Sequence, residues 1–220
     1  METEKKTFKT MTVGEKLEHI WEYYKLALLI ISLVVGLVIY IIYKLVAPEP
    51  DSILNVTMVN SYPLNVEGED TFDRYLKEHG YNPKDETIAV NSTLYMDANN
   101  ASQSSAVAFQ ALLAMSIVGE IDLLIGDEAV FQLFGSGNGL LEMDTVLPEE
   151  LVEKYQDDLY TARAQDTGEE FVCGIRLPKG NPLEKDGYYG EGVMAGIPYT
   201  GVNQDEAKEM LLYLLGENDK

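Results

Sequence analysis

The spacing of apolar positions changes character along this chain. Between Lys25 and Lys44 lie 18 residues without a charge, Leu26 to Tyr43. A helix crossing the hydrocarbon core of a bilayer needs roughly 20 apolar residues, at about 1.5 Å each. Leu45, Val46 and Ala47 lengthen the run, and the flanking lysines can reach the headgroups, so residues 26–47 are predicted to span a membrane. Ahead of the span, Val13, Leu17, Ile20, Trp21 and Tyr24 recur at helical spacing behind Thr12-Val13-Gly14-Glu15, which has the form of a capping box. Residues 1–25 therefore read as a tail whose amphipathic helix runs into the span. Pro48 and Pro50 stop the helix and hold an extended link, residues 48–52.

Beyond the link, short β-branched runs alternate with helical patterns. Ser52 to Asn60 reads as a strand, and Asp70 caps a short helix that ends at His79-Gly80. Thr87 to Asn91 is a second strand. Asn99-Asn100 offers a cap for a long apolar helix, Ala101 to Val118. Ile121 to Gly126 is a third strand, and Asp127 caps a helix from Glu128 to Phe134. This repetition predicts parallel strands joined by helical crossovers. Pro148 then opens a brief helix to about Tyr155. Leu159–Ala164 and Glu169–Leu177 flank Asp166-Thr167-Gly168 as a hairpin, and residues 178–192 read as a loop. Val193 to Tyr199 is a last strand. A final helix places Ala207, Met210, Leu211 and Leu214 on one face before Gly216. The expected fold is α/β: an N-terminal transmembrane helix, then a single three-layer α/β domain over residues 53–216. Its sheet is expected to be mostly parallel with a small β-hairpin insert, and residues 217–220 to form a tail.

Charge sharpens the division. The chain holds 16 basic and 37 acidic residues, a formal net charge of −21. Residues 1–50 carry six of each sign, so the whole excess lies in residues 51–220, with 10 basic and 31 acidic groups. Lys5, Lys6, Lys9, Lys16 and Lys25 precede the span, and after Lys44 no basic residue occurs before Arg74. The positive-inside rule then predicts an uncleaved signal anchor of the cell membrane, with the N-terminus cytoplasmic and the acidic domain extracellular. So acidic a domain is a poor partner for nucleic acid, whose phosphates need clustered Lys and Arg. Cys173 is the only cysteine, which excludes a disulfide scaffold. His19 and His79 are too few and too far apart for a zinc set, and no metal or cofactor is expected. No nucleophile and base stand at a legible spacing, so the domain is expected to be non-catalytic.

In open parallel sheets, ligands bind beyond the carboxyl ends of the strands. That rule singles out Ser61 and Tyr62 after the first strand, Ser92 and Tyr95 after the second, and Asp127 and Glu128 after the third. Their hydroxyls, aromatic rings and carboxylates suit a small polar ligand such as a sugar or polar peptide. The acidic cluster Glu67, Glu69, Asp70 and Asp73 lacks the ladder of a calcium loop and reads as a solvated face. Gly135-Ser136-Gly137-Asn138-Gly139 follows a helix and precedes no lysine, so it reads as a turn rather than a phosphate loop.

Three passages carry a resemblance: Ile121-Asp122-Leu123-Leu124-Ile125-Gly126 with Asp127 to Phe131; Gly139 to Asp144 with Leu147-Pro148-Glu149-Glu150-Leu151; and Val193 to Gly216. Their order resembles one lobe of the type 2 periplasmic-binding-protein fold of extracellular solute-binding proteins. Only about 40 residues separate the Pro148 helix from the Val193 strand, too few for a full second lobe. The resemblance implies a bacterial, membrane-anchored, extracytoplasmic solute-binding-like domain that takes a small polar solute or a membrane transporter as partner. The alternative is a structural or interaction subunit of a cell-envelope membrane complex.

Overall fold

The computed structural model describes residues 12–46, 50–62, 68–97, 102–137, 139–165 and 167–217. The chain divides into two units, Met1–Glu49 and Pro50–Lys220.

Among the described residues the first unit holds one helix, α1, Val13–Val46, of 34 residues. At about 1.5 Å per residue it is roughly 51 Å long. Within it Tyr24–Tyr43 has a mean hydropathy of 2.9 and no residue buried, so by length and composition it is able to cross a membrane. The amphipathic segment and the span expected at 1–25 and 26–47 thus share one continuous helix. The tail at 1–11, residues 47–49, and the side chains of Val13, Glu15, Leu17 and Ile20 lie outside the described residues.

The second unit is α/β. Its strands are β1 Asp51–Val59, β2 Glu86–Leu94, β3 Leu123–Gly126, β4 Leu159–Arg163, β5 Glu170–Arg176 and β6 Met194–Gly196. Its helices are α2 Thr71–Glu78, α3 Gln103–Ile117, α4 Glu128–Gly135, α5 Met143–Val146, α6 Glu149–Lys154, α7 Pro182–Lys185 and α8 Gln204–Leu215. All six strands form one sheet in the order β2-β1-β3-β6-β5-β4. β1 runs parallel to both β2 and β3. The pairings β3–β6, β6–β5 and β5–β4 are antiparallel. The sheet is therefore mixed rather than mostly parallel. Its parallel half lies where strands and helices alternate in sequence. The only helix in the connection from β5 to β6 is the four-residue α7, so no long helix returns the chain to the starting edge. β4 and β5 pair directly and extend the sheet beyond β6, with Gly168 at φ 74° in their turn. β2 ends the sheet on the other side, and no charge occurs from Thr87 to Leu94.

Capping fixes the helices. The Asp70 side chain accepts from Phe72 N and Asp73 N, and Asp73 returns a bond to Asp70 N, closing the box on α2. Gly80 follows at φ 77°. The N-cap of α3 is Ser102, whose hydroxyl accepts from Ser105 N; the expected cap, Asn99-Asn100, lies outside the described residues. α8 lacks a side-chain cap of its own. Instead Asp122, fully buried ahead of β3, accepts from Val202 N at 2.8 Å and Asn203 N at 2.9 Å, and also binds both nitrogens of Asn55 on β1. One carboxylate thus ties β1, β3 and the start of α8, where the helix dipole favours negative charge. At the other end, Gly216 adopts φ 78° and Glu217 N donates to Leu212 O.

Both faces of the sheet are covered. On one, Leu54, Val56, Met58, Leu123 and Ile125 pack under α2 and α8 with Tyr75, Met210, Leu211 and Leu214. On the other, Leu124, Cys173 and Met194 pack under α3 and α4 with Leu112, Phe131 and Phe134. Phe131 lies so close to the sheet that a Cβ on Gly174 or Gly196 would stand 2.7 or 2.8 Å from its ring.

Candidate functional site

β1, β2 and β3 deliver their carboxyl ends to one edge of the sheet. The order β2-β1-β3 makes the β1–β3 crevice the switch point, the place where such sheets receive ligands. The residues there are engaged with one another. Asn60, at φ 62°, takes the left-handed conformation that asparagine tolerates best among residues with a Cβ. Its Nδ2 donates to Met96 O and to Asp127 Oδ2, both at 2.8 Å, and Met96 N donates to its Oδ1 at 2.7 Å. Asp127 Oδ1 accepts from Val130 N at 3.1 Å as the N-cap of α4. One amide and one carboxylate thereby lock the ends of β1 and β3 and the exit of β2.

The crevice itself holds Tyr189. Its hydroxyl is 2.8 Å from Val59 O and 3.2 Å from Ile125 O, the last carbonyls of β1 and β3 that face it. Burial, with the nearby Asp127 charge second, pushes its ionisation well above the usual tyrosine range, so it stays a neutral donor. The loop that carries it is pinned to α2. Tyr188 Oη donates to Asp70 Oδ2 at 2.7 Å, and Arg74 pairs with Asp186 at 2.8 Å while Thr71 Oγ1 donates to the same carboxylate at 2.5 Å.

Of the residues predicted from sequence, Ser61, Tyr62, Asp127 and Glu128 do come to this edge. Tyr62 N donates to Tyr188 O, its ring remains exposed, and the Ser61 hydroxyl is buried with no hydrogen-bond partner among the described residues. Glu128 points outward and meets Arg176 Nη2 at 3.4 Å. Ser92 sits where β2 carries an extra residue against β1, exposed, and Tyr95 is exposed just beyond that strand. The sequence reading missed Tyr189 and Arg176. Tyr189 lies in a stretch rich in Gly and Pro, and its partners are backbone carbonyls more than sixty residues away in sequence.

A second concavity is apolar. Between α3 and α4 runs a groove of about 530 Å³ lined by Phe109, Leu113, Ile117, Leu133, Phe134 and Tyr199. Ile117 is 77% exposed, Tyr199 68% and the adjacent Val202 75%. Ser116 and Thr200 close one end, the Thr200 hydroxyl donating to Ser116 O. Among the described residues no group of His, Cys, Asp and Glu is arranged to hold a metal.

Compared with protein-family models, with curated proteins and with solved structures, the chain matches none.

Proposed function

We propose that this chain is a single-pass membrane protein that displays a non-catalytic interaction domain outside the cell as a subunit of a cell-envelope complex. The observation that carries this reading is the bare apolar face of α3 and α4. A monomeric surface seldom leaves several large apolar side chains side by side, and such patches usually mark a partner site. The polar edge that would hold a solute is occupied by the protein's own Tyr189, Asn60 and Asp127. The lysine distribution supports an N-terminus in the cytoplasm. In-cell photocrosslinking tests the interaction: a benzophenone residue at Ile117 is expected to trap a partner, and one at Lys208 on α8 is not. Recovery of only the uncrosslinked chain from both positions would sink the reading. Sidedness is checked with Asp157→Cys, since the buried Cys173 leaves one accessible thiol. An impermeant maleimide is expected to label it on intact cells.

A second reading is a single solute-binding lobe, in keeping with the resemblance to periplasmic binding proteins. It is favoured by Ser61, a buried hydroxyl at the switch-point edge without a hydrogen-bond partner among the described residues. Thermal-shift measurements on the full chain with sugars, short peptides and divalent ions test it. Stabilisation that disappears in Asp127→Ala would support it, and a flat response to every class would remove it.

A further inference from the structure

Three charge-free stretches converge on the groove. Residues 98–119, 129–141 and 192–204 carry no Asp, Glu, Lys or Arg, in a chain that holds 53 such residues overall (16 basic and 37 acidic). These three stretches include α3, most of α4, and β6 with the turn after it. They are remote in sequence and meet at the groove. α3 adds a second sign. Only Ala108, Leu112 and Ser116 of its residues are buried, yet its outward positions include Val107, Leu113 and Ile117. A helix that is apolar all round is ordinarily covered on every side.

What covers it is indicated by the cavity next door. A pocket of about 380 Å³ adjoins the groove through Tyr199, which lines both. Glu142, Glu169 and Glu170 line this pocket. Arg163 neutralises Glu170 at 2.7 Å, whereas Glu142 and Glu169 have no ion-pair partner among the described residues. A second copy of this acidic domain, or an anionic lipid surface, would bring negative charge against those two carboxylates. A basic group would be attracted to them. A concave apolar groove of this kind accepts the apolar stripe of an amphipathic helix.

Building on the reading as an interaction domain, we infer that the groove receives a basic amphipathic helix of a partner protein. Its apolar stripe rests on Leu113, Ile117, Leu133 and Tyr199, and a Lys or Arg reaches Glu142 and Glu169.

The test uses the full chain in phosphatidylcholine nanodiscs and a fluorescent leucine–lysine amphipathic peptide of about 18 residues, five helical turns. Binding is read as anisotropy against empty discs, which removes the peptide's own affinity for lipid. Three probes are compared: this peptide, its leucine–glutamate counterpart, and a scrambled leucine–lysine peptide without a stripe. The first is expected to bind at least about tenfold more tightly than the others. Ile117→Ser with Leu133→Ser is expected to weaken it about tenfold. Glu142→Gln with Glu169→Gln is expected to weaken it about fivefold, and Glu149→Gln with Glu150→Gln, which removes the same charge from α6, less than about twofold. Equal binding of the scrambled peptide, or equal losses from the two charge pairs, would mean diffuse attraction to an acidic protein and would overturn the proposal. Binding of the leucine–glutamate peptide that Ile117→Ser abolishes would overturn the basic partner and leave the interaction domain standing. Failure of the in-cell crosslink at Ile117 would remove the interaction reading itself.

Discussion

Helices α3 and α8 do the same job on opposite faces of one sheet, and they turn opposite chemistry outward. α8 buries Ala207, Met210, Leu211 and Leu214 and exposes Asp205 and Glu209. α3 buries Ala108, Leu112 and Ser116 and exposes Val107, Leu113 and Ile117. Their attachments differ too. α8 is held by the Asp122 carboxylate and a full glycine cap, α3 at its far end by the Ser116–Thr200 contact. The contrast teaches that one domain can turn a charged face to the outside over one side of its sheet and an apolar one over the other. The exposure of their outer side chains says which is which.

The largest test of this contrast is Asp122→Ala. It strands the N–H groups of Asn55, Val202 and Asn203, each costing about 1–3 kcal/mol when buried unpaired, so about 4 kcal/mol of stability should go. Urea unfolding of the full chain, read by thiol labelling of Cys173, measures it. A loss below about 1 kcal/mol would mean that α8 is held by packing alone. Next comes Leu214→Ala on the inner face of α8, fully buried, with an expected cost of about 3 kcal/mol in the same assay.

Alkaline pH probes both faces at once. Burial raises the Cys173 thiol from 9.0 to about 11, under α3 and α4. Burial first, then the Glu209 charge, raises Tyr75, which packs against Tyr213 of α8. The unfolded chain therefore releases these protons first, and it binds fewer protons than the folded one as pH rises. Stability is complete below pH 9, and the Cys173 thiol alone is expected to take about 2 kcal/mol of it by pH 11. Cys173→Ala should remove its share of the loss between about pH 9 and pH 11, and Tyr75→Phe a part of the loss above pH 10, which the raised Tyr188 and Tyr189 share, with circular dichroism in urea as the readout. A stability that rises over this interval would contradict the assigned burial. The smallest effect is expected at Ile117→Ser. Exposed as it is, the change should stay within about 0.5 kcal/mol, against about 3 for Leu214→Ala.

Local chemistry was readable in advance. Asp70 and Asp127 announce α2 and α4 because a carboxylate before an apolar run has a short-range use, and Gly80 and Gly216 mark ends because their backbone angles demand glycine. Asp127 and Ser61 were legible as members of the strand edge because each follows the carboxyl end of a predicted strand. The direction of β6 was not, since three residues, Met194–Gly196, look alike run either way, and only the lack of a long helix before them decides it. Tyr189 could not be foreseen, because its hydroxyl serves carbonyls of two other strands. Nor does the pattern of α3 tell its outside from its inside: apolar residues surround it, so exposure appears only once its neighbours are in place.

β2 gives the acidity of the domain another meaning. This edge strand runs nine residues and offers its free backbone groups without a lysine or proline to discourage pairing, and Thr87 to Leu94 carry no charge at all. Two such edges would knit together if they met squarely. The deterrent is not local. It is the mutual repulsion of domains whose 31 acidic groups outnumber their basic ones threefold, felt across a screening distance of about 8 Å in physiological salt. Such repulsion would work as in a colloid, by the reluctance of whole molecules to approach, and concentrated salt is expected to remove that reluctance before it disturbs a single buried contact.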